Sequence, residues 1–123
     1  MRWIIDGMNV IGAAGDGWWR DRHGAMVGLV DRLERWAAAE GEDVTVVFER
    51  PPVPPIRSTV VEVAHAPRAK ANSADDEIVR RLRAEGAAGV VVVTSDRWLS
   101  DRADALGAAV HSAGSFRRRL DES

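Results

Sequence analysis

The hydrophobic positions change period several times along the chain. Arg2–Asp6 is a short apolar run that ends in an acid. A glycine-rich stretch, Gly7–Gly24, follows and reads as a loop carrying the pair Trp18-Trp19. From His23 to Glu40, Met26, Leu29, Val30, Leu33, Trp36 and Ala37 recur at spacings of three and four, the stripe of an amphipathic helix. Gly41 stops it. Val44–Phe48 is β-branched and bounded by polar residues, so it reads as a strand. Glu49–Ile56 holds four of the five prolines and predicts an extended loop. Thr59–Ala64 is a weaker strand pattern, closed by Pro67 and a polar loop to Ser73. Ala74–Glu85 predicts a helix with Ile78, Val79 and Leu82 inward. Val90–Thr94 is apolar on both alternations, so both its faces should be buried. Arg97–Leu106 predicts a helix, Ala108–His111 a short strand and Phe116–Leu120 a last helical turn.

Strands alternating with helices, one strand buried on both sides, predict an α/β fold with a mainly parallel sheet. With 123 residues and no repeat or linker, residues 1–123 read as a single domain. A hydrophobic fraction of 46% can build a core, which excludes a wholly disordered chain. The absence of cysteine excludes disulfides, thiol catalysis and cysteine-ligated metal sites. No apolar run approaches the ~20 residues of a membrane span, and Met1–Asp6 lacks a signal-peptide pattern, so the expected location is cytoplasmic.

Four aspartates carry the chemistry. Asp6 ends the first strand, Asp96 follows the valine-rich strand, and Asp75 and Asp76 open the helix that leads into it. In an open parallel sheet, ligands bind outside the carboxyl ends of the strands where strand order reverses. Neighbouring first and fourth strands would set Asp6 beside Asp96 there. Carboxylates gathered in one cleft require protons or a cation, and hard oxygen ligands suit Mg²⁺ or Mn²⁺. Such a centre hydrolyses phosphodiesters without cysteine or histidine. The acids also have structural readings. Ser73 with Asp76 resembles a capping box, Asp75 favours a helix start, and Asp96 suits an N-cap. Asp6, beside Gly7, has no obvious structural duty. The three histidines, His23, His65 and His111, lack metal-ligand spacing.

Ile4–Ile11 (IIDGMNVI) resembles the opening of NYN-domain proteins of the PIN-like nuclease superfamily, in particular the YacP-like group. Ser73–Ile78 resembles that family's acidic helix start, and Val92–Arg97 (VVTSDR) its third motif. Gly107–Leu120 resembles its close. The resemblance spans nearly the whole chain. It implies a three-layer α/β/α sandwich with the first strand central and the fourth beside it. It also implies metal-dependent cleavage of RNA. Carried over by motif, Asp6, Asp75 and Asp96 are the implied Mg²⁺ or Mn²⁺ ligands, with Asp76 an additional or alternative one. Asn9 would orient Asp6 or a metal-bound water, and Ser95 would hydrogen-bond within the acidic cluster. One departure stands out. Where such proteins often carry aspartate after phenylalanine, this chain has Phe48-Glu49. Asp101 reads either as an outer acid or as a solvated helix-face charge.

Charge first argues against a nucleic-acid partner, since the net is −2. The four aspartates contribute −4, so the rest of the chain carries +2. Its basic side is arginine except for Lys70, which suits phosphate contacts but also fits a compositional bias. Candidate contacts to single-stranded RNA are Trp19, Arg20, Arg22, Arg68, Lys70 and Arg97, with Arg117-Arg118-Arg119 extending the track. Trp18 and Trp19 divide between base stacking and core or homodimer contacts. Trp98 fits either surface, Trp36 belongs to the core, and Arg80, Arg81 and Arg83 read as a solvated face. The leading reading is a metal-dependent single-strand endoribonuclease. The alternative is a catalytically weak RNA-binding or ribosome-associated module, which Glu49 favours. An aspartyl phosphatase would need a second acid at position 8, where Met8 stands.

Overall fold

A computed structural model of the protein describes residues 1–67 and 73–122. Five strands are present: β1 (Arg2–Asp6), β2 (Asp43–Phe48), β3 (Val61–His65), β4 (Val90–Val93) and β5 (Ala109–His111). The helices are α1 (Gly7–Gly12), α2 (Arg22–Glu40), α3 (Ser73–Glu85), α4 (Arg97–Leu106) and α5 (Ala113–Asp121), with a 3-10 turn at Trp18–Arg20. All strands are parallel, in the order β3-β2-β1-β4-β5. β1 is central, paired through Asp6↔Val47 on one side and Ile5↔Val93 on the other. Strand order reverses between β1 and β4, so the crevice for a ligand opens above that pair.

Alternation along the strands builds two apolar layers. Trp3 and Ile5 of β1, Val44 and Val46 of β2 and Val93 of β4 face α1, α2 and α5, where Leu29, Leu33, Trp36 and Phe116 close the core. Ile4, Val47 and Val92 face α3 and α4, against Ile78, Leu82, Leu99 and Ala103. This is the three-layer sandwich that the resemblance implied. In the first layer Trp36 meets Trp3 edge-on with centroids 5.0 Å apart, and Phe116 at 5.1 Å. β4 is buried apart from a half-buried Val91. Among the described residues no helix is long and apolar enough to cross a membrane.

Three boundaries differ from the sequence reading by two residues or more. Gly7–Gly12 is helical, not loop. Six residues are too few to display a helical period, and their glycines mask the pattern. Gly7 is required there: a Cβ would lie 2.6 Å from the Phe48 ring and 3.0 Å from a Val46 methyl. α1 therefore packs on β2 directly after β1, without an intervening loop. β3 begins two residues late because Ser58 Oγ accepts the Val60 and Val61 N–H groups and holds the chain in a turn. α5 runs about two and a half turns, not one, because Ser112 caps it by accepting the Ser115 N–H.

α3 is fastened to the sheet by a polar chain. Arg81 bonds Glu77 and Glu62, and Glu62 accepts from Thr45 Oγ1 on β2. Arg80 adds two bonds to Glu77, which is only 5% exposed. Arg80 and Arg81 thus do more than coat the helix. Their bonds hold the Glu77 carboxyl down at about 2, against partial burial that pushes it up. An unfolded glutamate titrates near 4.5, so this stabilisation is complete above that pH and fades as pH falls through about 2. Glu77→Gln should cost about 2 kcal/mol at neutral pH. In urea unfolding, its deficit relative to the parent should shrink between pH 4.5 and 2. A constant deficit across that window would rule out the ion pairs as its source.

Candidate active site

The site lies where β1 and β4 end side by side. Asp6 follows Ile4 by two residues and so shares the face toward α3 and α4. It is 6% exposed. Thr94, next after β4, donates its hydroxyl to Asp6 Oδ2 at 2.8 Å. The same hydroxyl accepts the Asp96 N–H at 3.0 Å. Asp96 in turn caps α4, its Oδ1 accepting the Leu99 N–H at 2.9 Å. One hydroxyl therefore links the acid of the first strand to the backbone of the acid after the fourth. α3 brings Asp75 to the same edge. Asp75 is also 6% exposed, and Asp6, Asp96 and Asp76 all act on its charge.

Among the described residues, neither buried acid draws on a basic side chain. Burial, then the neighbouring negative charges of Asp6, Asp96 and Asp76, raises Asp75 to about 7. Burial raises Asp6 to about 6; Asp96 and Glu49 add to the rise, while Thr94 and the Asn9 N–H oppose it. The ordinary value is 3.8. Among the described residues, no three carboxylate or imidazole groups stand ready as a metal cage. The fit to a cation is electrostatic and chemical: buried oxygen donors and, among the described residues, negative charge without a basic partner and no sulfur or nitrogen ligand at the acidic edge.

The doubled acid resolves into two positions. Asp75 is buried at the acidic edge, whereas Asp76 is exposed and lines a groove outside it. The Ser73 side chain, and with it the capping-box reading, lies outside the described residues. Asp96 caps α4 and also stands at the acidic edge. Two expected roles change. Asn9 does not bind Asp6 through its side chain; its Oδ1 accepts the Ser95 N–H at 2.7 Å and braces the loop before α4. Ser95 Oγ does not join the acids; it accepts the Ala113 N–H at 2.9 Å at the start of α5. The hydroxyl of the cluster belongs to Thr94, which the sequence reading had taken as a strand residue. Its signal was present: it is the lone polar residue closing a four-valine run.

Around this edge, Glu49 bonds Arg22 at 2.7 Å and lies close enough to act on Asp6. Trp19 is 59% exposed with the Arg20 guanidinium 5.8 Å from its ring centre. Trp18 is half-buried against the core with Arg22 over its ring. The pair thus splits, one ring inward and one outward. Arg97 is exposed beside Asp96, and Asp101 is an exposed helix-face residue. Arg68 and Lys70 lie outside the described residues. The Arg117–Arg119 run does not extend the track as a unit. Arg119 stacks on Trp3 and Trp36, and Trp3 sits at the opposite end of β1 from Asp6. Arg117 pairs with Asp121.

A folded-state value above the unfolded one means that the fold holds a proton that the unfolded chain releases. The contribution of Asp6 is therefore complete below pH 3.8 and lost as pH rises through about 6. In chelator, Asp6→Asn should be more stable than the parent above pH 6, by about 1–3 kcal/mol. The advantage should vanish toward pH 4. Melting curves across that range check it, and parallel pH profiles would contradict it.

Comparison with solved structures gives the same fold. The chain superposes on the crystal structure of Rae1 (YacP) from Bacillus subtilis with a TM-score of 0.76, 24% identity, and coverage of 99% of this chain and 74% of that one. The W164L mutant of the same protein gives 0.81, 24%, 98% and 75%. No curated protein matches in sequence. The family model for the YacP-like NYN domain matches residues 3–123, and the chain belongs to that family.

Proposed function

We propose that this protein is a metal-dependent endoribonuclease that hydrolyses single-stranded RNA at the edge formed by Asp6, Asp75 and Asp96. Membership of the YacP-like NYN family points to nuclease-type function on RNA. The observation that carries the finer reading is the pair of buried carboxylates, Asp6 and Asp75, brought to one edge and raised by burial with no basic partner among the described residues. A fold retains such a cost where the charge has work to do. Asp6, Asp75 and Asp96 would hold Mg²⁺ or Mn²⁺. When bound, such an ion neutralises charge at a phosphate and lowers the pKa of a water.

The chain's own residues supply position and charge. Thr94 fixes the Asp6 carboxylate and, through the Asp96 N–H, the start of α4. Asn9 and Ser95 lock the adjoining loop to α1 and α5, so the acids rest on braced backbone. Burial and the neighbouring acids disfavour the charged form of Asp75, and a cation held at this edge would restore it. Trp19, Arg20 and Arg97 are exposed and available to the strand. A second reading, a catalytically weak RNA-binding module, draws on Glu49, which stands where an aspartate is usual and is bonded to Arg22.

Purified protein should cleave single-stranded RNA with Mn²⁺ or Mg²⁺ and stop in EDTA. Asp6→Asn and Asp96→Asn should each lower the rate by about 100-fold or more. Asparagine retains the oxygen that accepts from Thr94 or Leu99, so circular dichroism should report an intact fold. Undiminished cleavage in both variants would refute the assignment. RNA binding with no cation-dependent cleavage would select the second reading.

A further inference from the structure

Beside the acidic edge lies an open groove. It has a volume of about 660 Å³ and runs between α3 and α4. On α3 its lining follows one helical stripe, Asp76, Val79, Arg80 and Arg83; on α4 it is Trp98 and Arg102, one turn apart. Both helices start at the edge that carries Asp75 and Asp96 and run away from it. The groove therefore opens at the acidic edge, beside Asp76 and Trp98, and extends about 10 Å down the helix pair to Arg83.

Its chemistry is specific. Trp98 is 41% exposed, unusual for the largest apolar side chain. The Arg102 guanidinium stacks 4.4 Å from its ring centre, which stiffens the indole. Arg80 is oriented by Glu77. Arg83 has no ion-pair partner among the described residues. Three cations thus face one carboxylate, Asp76, around a flat aromatic surface. Cations along a groove with an aromatic platform match a single-stranded nucleic acid, with phosphates on arginine and a base on the ring.

We infer that the α3–α4 groove is a strand subsite: Trp98 and Arg102 stack a base of the RNA segment flanking the cleavage point, and Arg83 and Arg80 hold its phosphates. This assigns a function to Trp98 and changes the reading of Arg80 and Arg83 from a solvated face. It rests on the proposal that the chain acts on RNA, and its test is read by binding without cleavage.

The probe is a fluorescein-labelled oligouridine of about twelve nucleotides, followed by anisotropy in EDTA. Trp98→Ala and Arg102→Ala should each weaken binding about tenfold. Trp98→Phe should recover most of the Trp98→Ala loss, and Arg83→Ala should reduce the salt dependence. Arg35→Ala, which removes a charge from α2 in the opposite layer, should leave affinity unchanged. These side chains are exposed, and melting temperatures check that the variants fold. Should Trp98→Ala fail to fold, Arg102→Ala and Arg83→Ala carry the test. Unchanged affinity in the groove variants overturns the subsite, as does an equal loss in Arg35→Ala. Cleavage by the parent with groove-independent binding retires the subsite and keeps the nuclease. Trp98-dependent binding without cation-dependent cleavage retires the nuclease and keeps the subsite.

Discussion

The hydroxyl of Thr94 is the point on which the acidic edge turns. It donates to a buried carboxylate on β1 and accepts from the backbone that begins α4. The Thr94 N–H meanwhile donates to the His111 carbonyl and ties in β5. The hydroxyl's one proton and one of its two lone pairs are both used there. Its geometry is available only because β1 and β4 are parallel neighbours in register, with Ile4 opposite Val92. The site is therefore a consequence of strand order before it is a consequence of loops.

Gly7 is the complementary constraint. Asp6 must end a buried strand, and the chain must then leave the sheet at once. Only a residue without Cβ lets α1 begin against Phe48 and Val46. The short helix then delivers Asn9 to the loop before α4, which fixes the distance between the two motifs. Thus the aspartate, glycine and asparagine of the first motif each act on different atoms: an acid at the edge, a close approach to β2, and a brace on the partner motif.

Much of this was legible in the sequence. The helical stripe of α2, the valine run of β4 and the acids at strand ends and helix starts all follow from period and punctuation. The logic of parallel sheets sets Asp6 beside Asp96 once the first and fourth strands are neighbours, and the family resemblance supplied that adjacency and added Asp75. What escaped was set by neighbours distant in sequence. Choosing Asp75 over Asp76 depends on which side of the α3 axis faces the sheet. Choosing Thr94 over Ser95 depends on strand parity carried one residue past the end of β4. Arg119 was misread because its location is decided by the rings of Trp3 and Trp36, far away in the chain. Trp98 was ambiguous because an exposed indole on a helix shows its purpose only beside α3.

The arrangement of the arginines follows from the same electrostatics. A free guanidinium reaching Asp6 or Asp75 would neutralise the edge and displace any cation from it. Among the described residues several arginines around that edge are instead engaged elsewhere, while Arg97 beside Asp96 stays exposed. Arg22 is bonded to Glu49, Arg80 and Arg81 are bonded to Glu77, and Arg102 lies on Trp98. Glutamates at the rim thus keep positive charge close enough to meet a phosphate, yet away from the buried acids. Glu49 acquires a reason in this light. Its longer side chain reaches outward to Arg22 while its charge still acts on Asp6. A near-neutral chain is then what separation of charge requires: carboxylates concentrated at one edge, arginines held around it, and neither allowed to cancel the other.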